Sequence, residues 1–171
     1  PFFNANTPED IAEAERLLLA AAKPRGYLPI DGLAAYDKAV QGLLFGADGE
    51  IVTAGRACTV QALGGTGGLR VGADFLRRFA PGAQVWISDP SWENHRALFE
   101  AAGFTVNAYP YYHAPTKGLD FDGMIGALSR APEGHVVVLH ACCHNPTGAD
   151  PTREQWDRIL AVVRERGLVP F

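Results

Sequence analysis

Apolar and polar positions change their rhythm near residue 56, and that change divides the chain. Before it, Thr7 precedes Pro8, Glu9 and Asp10, a helix start with a capping hydroxyl, proline in the first turn and acids at the positive end. This helix is predicted to reach about residue 23. The loop PRGYLPIDG (24–32) follows. Leu33, Ala34, Tyr36, Ala39, Val40, Leu43 and Leu44 then recur at helical spacing until Gly46. After residue 56 the pattern becomes short β-like runs at 56–63, 84–88, 104–109, 135–141 and 168–171. Helical patterns separate them near 69–80, 91–102, 120–130 and 152–166. Gly103 and Gly167 stand where helices should end, and Thr152 with Gln155 has the spacing of a capping box.

Strands alternating with helices predict an α/β fold with a largely parallel sheet, whose ligands gather at the carboxyl ends of the strands. The segments at those ends are GGTGG (64–68), DPSWENH (89–95), YPYYHAPTKG (109–118) and CHNPTG (143–148). Three of the four carry more polar and aromatic groups than a turn requires.

Bulk properties narrow the function classes. The chain has 171 residues, 47% hydrophobic and 20% charged, enough apolar material for a single soluble core. Net charge is −4 and no basic run exceeds two residues, which argues against nucleic acid or a polybasic membrane contact as partner. No apolar run approaches the roughly 20 residues that span a bilayer, and PFFNANTPED has no basic segment followed by an apolar core that would read as a secretory leader. Three cysteines, two of them adjacent at 142 and 143, form no disulfide framework. Neighbours in a strand point to opposite faces, so the pair reads as ordinary buried thiols in a reducing cytoplasm.

The stretch LGGTGGLRVG (63–72) holds five glycines in ten positions. It fails the dinucleotide pattern, because Arg70 stands where a third glycine is needed, and it lacks the Gly-Lys-Ser/Thr of the Walker loop. Two readings remain open on the loop alone. It is a tight strand-to-helix turn, or it aims backbone N–H groups of Gly65 and Thr66, and the Thr66 hydroxyl, at an anion. Trp92 either anchors its loop to the core or offers a flat face to a planar ligand, with Ser91 as the cap of the next helix and His95 one turn on. Asn145-Pro146 either starts a turn or presents an amide to a ligand oxygen at a strand end. His140, Cys142 and His144 alternate on one face but lack a fourth metal ligand at a usual spacing, so no metal is assigned.

Taken together, GGTGGLRVGADFL, SDPSWENH and HNPTG after a hydrophobic strand resemble, in order and spacing, the class I pyridoxal-phosphate aminotransferases of the aspartate and aromatic amino acid branch. The resemblance runs from about Gly26 to Phe171. It implies the three-layer, mostly parallel sheet of the large domain of fold type I transferases, present incompletely. Residues 1–25 would be a helix and linker of uncertain match, and 26–171 the first half of the cofactor domain. It further implies that Gly65 and Thr66 hold the cofactor phosphate, that Trp92 stacks on the pyridine ring, and that His95 lies beneath it. Asn145 would bond the phenolic oxygen and, with Trp92, border the substrate. Tyr27 would reach the phosphate of a neighbouring subunit, making the active unit a homodimer. The implied reaction is ping-pong transamination between aspartate or aromatic amino acids and a 2-oxo acid.

The resemblance also implies what is missing. The family's covalent lysine lies beyond the matched segment, and the chain's lysines, Lys23, Lys38 and Lys117, stand in no matching context. The chain is therefore expected to be a fragment that is inactive alone, with no catalytic residue of its own. The rival expectation is a non-catalytic phosphate-ligand module or a remnant subunit contact.

Overall fold

The computed structural model describes residues 7–20 and 26–171, which fall into two compact units, residues 1–61 and 62–171. The first contains α1 (Pro8–Ala20), α2 (Ala34–Phe45) and the short α3 (Glu50–Thr53). At the start of α1, the Asp10 amide donates to Thr7 Oγ1, the capping hydroxyl read from the sequence, and the Thr7 amide donates back to Asp10 Oδ2, both at 3.1 Å. The predicted continuation of this helix to residue 23 lies outside the described residues. α3 has no counterpart in the sequence reading, since four residues are too few to show a helical period.

The strand expected at 56–63 does not form. Residues 56–62 are irregular, tied to their own unit by the Gln41 amide donating to Thr59 Oγ1 (2.8 Å) and by the Gln61 amide donating to the Asp31 carbonyl (2.9 Å). A β-like run becomes a strand only when another strand satisfies its backbone, and among the described residues none pairs with this one.

The second unit is built on a parallel sheet of four strands, β1 (Val85–Asp89), β2 (Val106–Pro110), β5 (Val136–Val137) and β6 (Val169–Pro170), in the order β2-β1-β5-β6. An antiparallel pair, β3 (Tyr112–His113) and β4 (Gly118–Leu119), interrupts the connection after β2 where the sequence suggested only a loop. Helices α4 (Gly64–Phe79), α5 (Glu93–Ala101), α6 (Phe121–Leu128) and α7 (Arg153–Glu165) complete the unit. Alternation along the strands divides the core into two layers. Val85, Ile87, Val136 and Val138 pack with Ala73 of α4 and with Leu98 and Phe99 of α5. Tyr109 and Val137 pack with Met124 and Leu128 of α6 and Ile159 and Val163 of α7. The result is the three-layer α/β arrangement that the alternation predicts.

The glycine stretch is also redrawn. Gly64 to Gly68 form the first turn and more of α4, so the helix begins five residues earlier than its apolar period indicates. Gly64 has φ +64°, a left-handed value that favours glycine. Gly72 serves packing: a Cβ there would lie 2.7 Å from the Phe171 ring.

The predicted capping box at α7 is present, with Thr152 Oγ1 accepting from the Gln155 amide at 3.3 Å and Gln155 Oε1 from the Thr152 amide at 2.9 Å. Thr152→Ala is expected to lower stability by about 1 kcal/mol, read as a shift in the urea midpoint. An unchanged midpoint would show that the cap is not limiting.

Candidate functional site

The chain runs from β1 to β2 on one side, then returns to the other side of β1 to form β5 and β6. Loops leaving β1 and β5 therefore part in opposite directions and leave a crevice at their carboxyl ends, where open α/β sheets bind ligands. A cleft of about 510 Å³ lies there, walled by Trp92 and His95 after β1 and by His140, Cys142 and Asn145 after β5. Leu69 of α4, Val138, Leu139 and Phe171 complete it. Such a volume suits a small-molecule site.

After β1, a cis peptide precedes Pro90, and Trp92 occupies the N-cap of α5. Ser91, expected in that position, instead hydrogen-bonds His95, Oγ to Nδ1 at 2.9 Å, and so fixes the imidazole at the start of the helix. The indole and the His95 ring meet edge to face with centroids 5.4 Å apart.

After β5, the backbone leaves the regular sheet at Val138 and bends through 141–143, with Cys143 at φ +54° and a cis bond before Pro146. The strand alternation assumed for His140, Cys142 and His144 is thereby broken. Asp150 holds this turn, its carboxylate accepting from the Cys143 amide at 2.7 Å and the His144 amide at 2.8 Å. Those two bonds draw the carboxyl of Asp150 below its ordinary pKa, the His144 amide contributing most. The Asn145 amide donates to His140 Nδ1 at 3.2 Å, which leaves the proton of a neutral His140 on Nε2. That nitrogen is buried without a partner, on a residue of the cleft wall.

Trp92, His95, His140, His144 and Tyr111 form a continuous column of rings, with successive centroids 5.4, 5.0, 4.3 and 3.7 Å apart. His144 is 2% exposed and bonds two hydroxyls, Ser88 Oγ at 2.9 Å through Nε2 and Thr147 Oγ1 at 2.8 Å through Nδ1. Burial first, then the neighbouring His140, pushes its pKa down to about 4, against an opposing pull from Asp150. Burial likewise lowers His95 and His140. Tyr111, stacked on His144, has its phenol raised to about 12 by burial and by Asp150, and donates to the Ala149 carbonyl at 2.7 Å. At neutral pH the column is therefore uncharged.

Of the residues singled out from the sequence, Trp92, His95 and Asn145 share this cleft. Thr66 does not line it: with Arg70, Asn94, Ala97 and Leu98 it borders a second hollow of about 350 Å³. Gly65 and Thr66 are exposed in the first turn of α4, whose N-cap Leu63 supplies no side-chain bond, and a Cβ on Gly64 or Gly65 would meet nothing within 4 Å. The helix end thus presents amide donors to open space. Tyr27 belongs to the first unit and is fully exposed at 107%. Lys117, the one lysine of residues 62–171, lies in the β3–β4 turn at φ +52° and does not line the cleft. Ser88 and Tyr111 leave no local pattern in the sequence because their hydrogen bonds cross 56 and 38 residues, and Asp150 leaves none because it acts on backbone amides six and seven residues away.

The sheet order and the cleft define an α/β protein with a small-molecule site at its topological switch point. The chain belongs to the aminotransferase class I and II family, whose model matches residues 1–171. It is 55% identical over 161 residues to an aspartate aminotransferase of Pseudomonas aeruginosa, covering 94% of this chain and 40% of that protein. It is 49% identical over 164 residues to an aromatic-amino-acid aminotransferase of Escherichia coli, covering 94% of this chain and 41% of that one. The crystal structure of an aromatic-amino-acid aminotransferase from Burkholderia pseudomallei, covalently bound to pyridoxal phosphate, superimposes with a TM-score of 0.91 at 58% identity. That match covers 100% of this chain and 42% of the other. The chain spans about 40% of the length of these relatives.

Proposed function

We propose that this chain carries the ring-binding and phosphate-binding part of a pyridoxal-phosphate site, within an aminotransferase acting on aspartate or aromatic amino acids and a 2-oxo acid. The observation that carries this reading is the convergence of Trp92, His95 and Asn145 on one cleft at the switch point of the sheet. The donor set fits the group. An indole face suits a flat heteroaromatic ring, the exposed Asn145 carboxamide suits a phenolic oxygen, and an uncapped helix terminus bearing Thr66 suits a phosphate. The buried, partnerless Nε2 of His140 adds a donor on the same wall.

When bound, the cofactor supplies an electron sink for the carbanion that forms as an amino acid loses its α-proton. The chain's residues orient it. Trp92 would stack on the ring and exclude water, and Asn145 would donate to the ring oxygen. Gly65 and Thr66 would hold the phosphate, and His95, kept neutral by burial and bonded to Ser91, would support the ring. In this reading Tyr27, which is fully exposed, would reach the phosphate site of a second copy in a homodimer with shared sites. Three free, exposed cysteines accord with a reducing cytoplasm. Among the described residues no helix is long and apolar enough to cross a membrane.

Titrating pyridoxal phosphate into the chain tests the reading. Reversible binding is expected, weakened by about tenfold in Thr66→Val and in Asn145→Ala, the cost of one charge-assisted hydrogen bond. No binding would favour the alternative of a remnant subunit contact.

A further inference from the structure

Adjacent cysteines in a regular strand face opposite ways, which is why the pair at 142 and 143 reads from sequence as two separate buried thiols. The structure contradicts both halves of that reading. Both thiols are exposed and free, and Cys143 adopts φ +54°, a backbone state rare for a residue with a Cβ. This left-handed step abolishes the alternation. The neighbouring side chains are then no longer held on opposite faces of a strand. In keeping with this, Cys142, more than any other group, holds the Cys143 thiol above its usual pKa, with Asp150 adding to the effect.

The turn that pairs them is held from outside the pair. Asp150 accepts from the amides of Cys143 and His144, and the Asn145 amide donates to His140 Nδ1, so three consecutive residues are fixed by side chains that do not include either sulfur. Both thiols are left unengaged by the backbone and open to solvent, and Cys142 stands at the cleft. Among the described residues no group of three histidine, cysteine or acidic side chains is placed to hold a metal ion, so a centre needing three or four protein ligands is not served here. A soft centre that needs two thiolates and brings its own third substituent is.

We infer that Cys142 and Cys143 form a vicinal dithiol site for monosubstituted trivalent arsenicals. Two As–S bonds form, the As–O bond of the arsenoso group breaks, and the two thiol protons leave with that oxygen as one water. Arsenic remains trivalent and both sulfurs keep their oxidation state, so no oxidant or reductant takes part. A protonated Cys143 thiol does not impede this condensation, whereas it slows simple alkylation, which needs the thiolate. The site stands on the turn geometry alone and does not depend on the cofactor reading.

Phenylarsine oxide, added to the whole chain and followed by intact mass and by counting free thiols, tests it. One phenylarsenic group is expected per chain, consuming two thiols, resisting excess 2-mercaptoethanol and released by 2,3-dimercaptopropanol. Cys142→Ser and Cys143→Ser should each weaken retention roughly 100-fold or more, since the second bond becomes intermolecular. Cys58→Ser should leave it unchanged, because Cys58 has no neighbouring thiol in the sequence. Serine at these exposed positions preserves size, and circular dichroism matching the native chain confirms that the variants fold. An adduct that survives in either single variant, resides on Cys58, or fails to form on the native chain overturns the proposal.

Discussion

Lowering the pH from 6.5 to about 4 is expected to weaken the fold by about 2–3 kcal/mol, with His144 as the main source. The sign follows from its burial. His144 titrates near 4 when folded and near 6.5 when not, so between those values the unfolded chain binds the extra proton and stability falls as pH falls. Above 6.5 the contribution is fully present, and below about 4 it has been lost and the curve flattens. The local chemistry agrees. A neutral imidazole can satisfy Ser88 and Thr147 in either tautomer, whereas the imidazolium obliges both hydroxyls to accept and places a charge between the rings of Tyr111 and His140. His95 and His140 are lowered in the same direction and add to the slope. Asp150 acts elsewhere on the scale: its depressed carboxyl stabilises the fold above the ordinary carboxylate range, and that contribution goes only as pH falls through its lowered value. Urea midpoints between pH 7.5 and 4, for the native chain and for His144→Gln, provide the measurement. The variant should be less stable at pH 7.5 and should lose most of the slope. If it retains the native slope, His144 is not the titrating group.

How much of this was legible in advance depends on the range of the interactions. The capping box at Thr152 and the cap at Thr7 were readable because each is set by neighbours within a few residues, and the four strands because their apolar runs alternate with helical patterns in the order that a parallel sheet pairs. Trp92, His95 and Asn145 were readable as a set only through the rule that ligands lie at strand ends, with the family resemblance adding their roles. The failures have a common cause. The run at 56–63 has strand composition but no strand beside it, and composition does not record a partner. Glycines 64, 65, 67 and 68 disfavour helix by propensity, yet they begin α4, where Leu69, Ala73 and Leu76 pack against the sheet layer. Tertiary packing overrides a local preference of about 1 kcal/mol per glycine. The turn at Cys143 was invisible because its cause, Asp150, is seven residues away and acts through backbone amides. That same turn sets Asn145 against the cleft and breaks the strand alternation of Cys142 and Cys143, so one unread hydrogen-bond pair underlies both features.

Phe99→Ala should have the largest effect on stability, about 3–5 kcal/mol, and should reach the cleft through α5. Phe99 is 0% exposed, packed against Val85, Ile87 and Val136, and meets Phe104 and Phe171 edge to face at centroid distances of 6.0 and 5.3 Å. Truncation removes the ring from both aromatic pairs and opens a cavity between α5 and the sheet, which cannot close without moving a helix whose first turn carries His95 and whose N-cap is Trp92. Phe171 also lines the cleft, so the loss propagates along two routes to one wall. Phe99→Leu keeps most of the volume and should cost about 1–2 kcal/mol, leaving Trp92 and His95 in place. Urea unfolding gives the stabilities. Pyridoxal-phosphate titration of both variants, under conditions where each remains folded, separates stability from site geometry. Weaker binding in the alanine variant than in the leucine variant is expected. Equal affinity in the two would show that the cleft is held by the β5 side alone, through Asp150 and the turn at Cys143. A loss of stability below about 1 kcal/mol would mean that the layer between α5 and the sheet repacks without a cavity.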